Sequence, residues 1–109
     1  MKESFLTGRI NGIPYRRLLT AELFDSRIDV SISLTGIVII SLPIDKLREV
    51  KLARNIVMFG IKIRYYGERN IIKTIKLYTA NFEQWAQAFQ DLKVTVVPHG
   101  GWFEIDWLE

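Results

Sequence analysis

Asn81-Phe82-Glu83-Gln84-Trp85-Ala86-Gln87-Ala88-Phe89-Gln90-Asp91-Leu92-Lys93 is the stretch that decides how this chain folds. Phe82, Trp85, Phe89 and Leu92 fall at offsets of zero, three, seven and ten, an apolar stripe at the helical period, with Ala86 filling beside it. Asn81 is a favoured N-cap type, Gln84 stands where a capping box requires it, and Glu83 suits the positive end of the helix dipole. Glu83, Gln87, Gln90 and Asp91 lie outside the stripe. A stripe of two Phe and one Trp reads as core rather than as a ligand site. The helix also arrives late, after seven strand-like segments. One amphipathic helix following such a run can close one mouth of a curved antiparallel barrel.

Working back from the helix, the clearest strand is Ile28 to Leu34, where Ile28, Val30, Ile32 and Leu34 alternate with Asp29, Ser31 and Ser33. Thr35-Gly36 breaks the run, and Ile37 to Leu42 follows as the second arm of a hairpin. Upstream, Asp25-Ser26 separates Tyr15 to Phe24, and Asn11-Gly12-Ile13-Pro14 divides off an opening strand, about Phe5 to Ile10. Beyond Pro43 the pattern of 45–54 fits an amphipathic helix with Leu47, Val50 and Leu52, or a strand with Val50 and Leu52 inward; the strand is favoured. Ile56 to Tyr66 sets Ile61, Ile63 and Tyr65 against Lys62, Arg64 and Tyr66, with Gly60 marking a bulge or bend. Gly67-Glu68-Arg69-Asn70 then turns the chain into Ile71 to Thr79, where Ile75 and Leu77 oppose Thr74, Lys76 and Tyr78.

At 109 residues, 49% of them hydrophobic, the chain suits one compact domain. There is no cysteine, so disulfides and thiolate metal sites are excluded, and one histidine cannot make a histidine cluster. The longest aliphatic run, Ile37 to Ile40, is far short of the ~20 residues that span a bilayer. The amino end has no apolar stretch of signal-peptide length, so a soluble, cytoplasmic protein is expected.

The order of seven strands and a closing helix resembles the pleckstrin-homology-like superfold, and within it the compact GRAM and bacterial PH-like type. The residues that carry the resemblance are Leu34-Thr35-Gly36-Ile37-Val38-Ile39, Leu42-Pro43-Ile44 and the helix from Phe82 to Leu92. It implies a seven-stranded antiparallel barrel over residues 1–93, mainly β with one carboxyl-terminal helix; residues 94–109 fall beyond the shared fold and read as a hairpin or extended tail on the same domain or a neighbour. It also raises phosphoinositide binding, which the residues oppose. The lipid-binding pattern needs a basic-x-Arg pair on the second strand, whereas Arg16 and Arg17 are adjacent and point to opposite faces of a regular strand; Arg9 alone fits the first.

Charge is unevenly spread: residues 1–45 balance at zero, 46–76 at plus seven and 77–109 at minus four. Arg48, Arg54, Lys62, Arg64 and Lys76, with Tyr66 and Tyr78, are the expected anion- or partner-binding face, basic with rings interleaved. A solvated outer face is the bland alternative. In the tail, Val94 to Val97 and Trp102 to Trp107 read as a hairpin about Pro98-His99-Gly100-Gly101. Trp102, Phe103, Ile105 and Trp107 there are candidates for self-association. Glu104 and Asp106 share a strand face as solvent decoration, and His99 has no partner carboxylate nearby in sequence.

No nucleophile elbow, phosphate-cradling glycine loop or zinc-helix motif is present, so the expectation is of no catalytic residue, no metal and no cofactor. What the sequence predicts is a non-catalytic interaction module whose partner is a protein, a second copy of the chain included. The alternative is weak, salt-sensitive binding of nucleic acid or an anionic membrane through the basic face.

Overall fold

The computed structural model of the protein describes residues 1–5, 8–15, 18–54, 59–79 and 81–97. Along the chain run β1 (Lys2–Phe5), β2 (Gly8–Ile10), β3 (Ile13–Tyr15), β4 (Leu19–Leu23), β5 (Arg27–Ile32), β6 (Val38–Pro43), β7 (Leu47–Arg54), β8 (Phe59–Tyr66), β9 (Ile72–Tyr78), α1 (Phe82–Asp91) and β10 (Val96–Val97). They form a four-stranded sheet in the order β1-β4-β5-β6 and a six-stranded sheet in the order β10-β7-β8-β9-β2-β3. Pairing is antiparallel throughout, except that β10 runs parallel to β7. The chain is therefore mainly β with one helix, as the sequence predicts.

The seven expected strands are corrected to ten among the described residues, and the two sheets do not close into a barrel. The opening segment Phe5 to Ile10 is two strands: β1 pairs with β4 in the first sheet, while β2 pairs with β3 and β9 in the second. Tyr15 to Phe24 divides in the same way, β3 joining the second sheet and β4 the first. Gly8 stands where the second sheet takes over, and a Cβ there would meet the Lys76 carbonyl oxygen at 3.0 Å and the Leu77 side chain at 3.2 Å. At the other junction, β6 ends at Pro43 and a 3-10 turn over Ile44–Lys46 leads into β7, so β6 and β7 lie in different sheets.

Leu34 corrects the reading of Ile28 to Leu34. The strand stops at Ile32, Ser33 to Thr35 turn, and the Gly36 amide donates to the Ile32 carbonyl at 2.8 Å with Gly36 at φ 70°. Leu34 rides the turn at 91% exposure instead of joining the core. The strand reading of 45–54 holds from Leu47 on, with a register shift between Leu47 and Glu49. Gly60, by contrast, marks no bulge: it pairs in register with Tyr78, and a Cβ on it would collide with the Leu77 carbonyl oxygen. Its lack of a side chain serves close approach of two backbones.

One contiguous core joins the sheets. Leu19, Ala21, Ile28 and Val30 of the first face Val50, Ile61, Ile63, Ile75 and Leu77 of the second, with Trp85 and Phe89 of α1 fully buried among them. Each such side chain contributes ~1.5–3 kcal/mol relative to exposure. The rings of Trp85 and Phe89 lie 6.1 Å apart at 32°, and Phe82, Ala88 and Leu92 are half-buried against the same cluster. The helical stripe thus packs as expected, with Ala88 rather than Ala86 as the small residue set against the core. α1 rests on β7, β8 and β10.

The capping box is a correction. The Asn81 side chain makes no bond to the helix amides; its Nδ2 donates to Glu3 Oε1 at 3.0 Å instead. In a capping box the Asn81 side-chain oxygen would accept from a helix amide and Gln84 would accept from the Asn81 backbone amide, which here donates to Thr79 Oγ1 at 2.9 Å. At the other end, the Val94 amide donates to the Phe89 carbonyl at 3.0 Å while Lys93 takes φ 61°, a left-handed stop without glycine.

Candidate functional site

Alternation along β8 and β9 puts Ile61, Ile63, Tyr65, Ile75 and Leu77 in the core, so Lys62, Arg64, Tyr66, Thr74, Lys76 and Tyr78 share the outer face of the second sheet. Register then decides which of them meet. Lys51 of β7 stands opposite Lys62 of β8, Lys62 opposite Lys76 of β9, and Lys76 opposite Arg9 of β2. Four cations on four neighbouring strands form one straight row, ~14 Å long at the usual strand spacing. Like charges directly opposite destabilise a sheet, so a row of this kind carries a cost that a bland solvated face avoids. None of Lys51, Lys62 and Lys76 is without an interaction partner. Lys76, mid-row, is only 6% exposed although it faces away from the core.

The other expected members of this face are placed differently. Arg64 is neutralised by Glu49, its opposite number on β7, at 3.1 Å. Arg48 is exposed at the register shift between Leu47 and Glu49 and stands outside the row. Arg54 ends β7 opposite Phe59. Tyr66, 38% exposed, pairs with Ile72 at the far end of β8, beyond Arg64, and half-buried Tyr78 pairs with Gly60 on the other side of the row. The rings flank the cations rather than interleave with them. Arg9 and Lys51 are the row residues that sequence reading missed. Trp102, Phe103, Ile105, Trp107, His99, Glu104 and Asp106 lie outside the described residues, as do Arg16 and Arg17.

Beside the row a depression of about 360 Å3 opens between the Asn11-Gly12 turn and the side chains of Lys62, Lys73, Thr74 and Lys76. Asn11 and Gly12, at φ 53° and 82°, make the tight two-residue turn between β2 and β3, and the Tyr65 hydroxyl donates to Asn11 Oδ1 at 3.0 Å. The turn is thereby held against the sheet.

A second feature is the β6 edge of the first sheet. Four strands end the two sheets: β1 carries Lys2 and Glu3, β3 is three residues long and holds Pro14, β10 is two residues long, and β6 reads Val-Ile-Ile-Ser-Leu-Pro. Charge, proline and shortness are the usual guards of an edge. β6 has none of these three before Pro43, its one irregularity being the register shift with β5 between Val30 and Ser31 that leaves Ile39 unmatched, and Ile37 and Val38 beside Leu34 expose 60% and 51% of their surface. No described strand pairs with its outer side.

The third is a carboxylate on the inner side of β1. Glu3, opposite buried Ala21, accepts hydrogen bonds from Thr79 Oγ1 at 2.5 Å, Asn81 Nδ2 at 3.0 Å and Trp85 Nε1 at 3.0 Å, while the Asn81 amide donates to Thr79 Oγ1 at 2.9 Å. Every polar partner is neutral and each lies near the start of α1, so the arrangement fastens the helix to β1.

No protein-family model matches the chain, and no curated protein is significantly similar to it in sequence. Among the described residues no helix is long and apolar enough to cross a membrane.

Proposed function

We propose that the chain is a non-catalytic interaction module that binds protein by strand addition to β6, a second copy of itself being the partner it fits. The observation that carries this is the uncharged edge from Val38 to Pro43 with Leu34 and Ile37 exposed beside it. A strand that pairs antiparallel with its own copy sets each residue against one of the same six, and none of these six is charged, so no like-charge contact opposes it. Such pairing would fuse two first sheets into one and satisfy the backbone groups along both edges.

The framework is read as an opened variant of the pleckstrin-homology-like barrel. Taking β1 with β2 and β3 with β4 as single strands that change sheet leaves seven, followed by a closing helix. A cytoplasmic setting fits the cysteine-free sequence. Substituting Ile37→Lys and Val38→Lys at the exposed start of β6 tests the function: sedimentation of the parent should show a dimer that the double variant loses while its circular dichroism is retained. A parent that stays monomeric across micromolar to millimolar concentration refutes the proposal.

Polyanion binding is the second reading, and the row Lys51–Lys62–Lys76–Arg9 is what favours it. Loss of binding between low and moderate salt is its signature.

A further inference from the structure

We propose that Asn11 is a modification site: the Gly12 nitrogen closes on its side-chain amide to form a succinimide, and the fold slows that step by gripping Asn11 from β8 and β9. The inference stands apart from both binding readings.

Of the four asparagines, Asn11 alone fits the chemistry. It is followed by glycine, whereas Asn55, Asn70 and Asn81 precede Ile56, Ile71 and Phe82, whose side chains crowd the attacking nitrogen. Asn11 and Gly12 are both exposed, and a Cβ placed on Gly12 would meet nothing within 4 Å, so water and hydroxide reach the Gly12 amide. That nitrogen bonds to Asn11 Cγ as the Cγ–Nδ2 bond breaks, and its proton leaves with Nδ2 as ammonia. Water then opens the imide ring. Opening at Cγ gives aspartate; opening at the main-chain carbonyl gives isoaspartate, with the chain routed through Cγ. No oxidant or reductant enters.

The turn withholds the geometry that this attack needs. With Asn11 at φ 53° and Gly12 at φ 82° it is the mirror image of a type I turn, which sets ψ of the first central residue at ~30°. There the Gly12 nitrogen lies almost opposite Cβ across the Cα–C bond, whereas ring closure needs the two on the same side. Rotation to that side dissolves the turn, and two hydrogen bonds resist it. The Asn11 amide donates to the Thr74 carbonyl at 2.8 Å, and the Tyr65 hydroxyl donates to Asn11 Oδ1 at 3.0 Å. Tyr65 is buried, so the core fixes the ring that holds the carboxamide. The reaction therefore waits for β3, a three-residue edge strand whose one described neighbour is β2, to lift away. Local opening of that kind takes less free energy than unfolding the domain. Either product places a carboxylate at the rim of the depression that Lys73 and Thr74 line. Isoaspartate also adds a carbon to the main chain, which a two-residue turn holding Ile10 opposite Ile13 has no room for.

Peptide mapping by mass spectrometry during incubation in mildly alkaline buffer tests this on the full chain. In the urea-unfolded parent, Asn11 should convert to aspartate and isoaspartate many times faster than the other asparagines. In the folded parent it should still convert, several-fold more slowly. Tyr65→Phe, shown to be folded by circular dichroism, should raise the folded rate about five-fold, the size of one neutral hydrogen bond. Asn70, exposed and also left-handed at φ 57°, is the control and should not change. An unfolded rate at Asn11 no higher than at the other asparagines, equal folded and unfolded rates, or no conversion in the folded parent each overturn the proposal. So does a folded Tyr65→Phe that keeps the parent's rate, or a rise that Asn70 shares equally. Should Tyr65→Phe not fold, the two parent rates decide by themselves.

Discussion

Replacing Glu3 by Ala should loosen the helix from the first sheet, and the structure sets the size of the effect. The carboxylate takes hydrogen bonds from Thr79, Asn81 and Trp85. Bonds to a charged acceptor contribute ~1.5–3 kcal/mol each, but the three share one group and do not add. The dominant loss is at Trp85, whose indole is 0% exposed and whose Nε1–H would be left inside without Glu3, at ~1–3 kcal/mol. Relief from holding a half-buried charge offsets part of this. A net loss of ~2–4 kcal/mol follows, a large fraction of the ~5–15 kcal/mol that stabilises a domain, though the protein should still fold. Urea unfolding followed by far-ultraviolet circular dichroism measures it. The same substitution made beside Trp85→Phe, which has no N–H to orphan, should cost ~1–2 kcal/mol less, and Glu3→Gln should cost less than Glu3→Ala in either background. Equal losses with Trp85 and with Phe at that position, or a loss under ~0.5 kcal/mol in the parent, would refute the role given to the Trp85–Glu3 bond.

Two further outcomes are expected. Gly60→Ala drives a methyl group into the Leu77 carbonyl oxygen between β8 and β9, so thermal unfolding should show a destabilisation of ~2 kcal/mol or more, and a change within ~0.5 kcal/mol would mean the strands lie farther apart. Lys93→Gly relieves a left-handed residue at the end of α1 and should raise stability by ~0.5–1 kcal/mol in the same assay, a lowered midpoint telling against that geometry.

Local pattern was legible wherever one residue's environment depends on near neighbours. The alternation of Ile61, Ile63, Ile75 and Leu77 against Lys62 and Lys76, and the Trp85–Phe89 stripe, follow from periods of two and 3.6 that any amphipathic element must keep. The sheet change between β1 and β2 was hidden because alternation can run on while the partner strand is exchanged, leaving Gly8 as the sole mark. The row was hidden for a related reason: that Lys51 meets Lys62, and Lys76 meets Arg9, is fixed by register between segments far apart in the chain. Asn81 holds the N-cap position as expected, but its side-chain bond was hidden because the acceptor lies 78 positions upstream. The openness of β6 likewise depends on what stands beside it.

The pairing of β2 with β9 and the tie from Glu3 to Trp85 bring the beginning of the chain against its last third. On the ribosome, Lys2 to Ile10 must therefore wait, hydrated and unpartnered on one flank, until the segment through Trp85 has left the exit tunnel. Contacts of such long sequence separation place this protein among slow folders, on the ms–s scale of β-rich domains. Until then the nascent chain presents an unfinished, partly apolar surface.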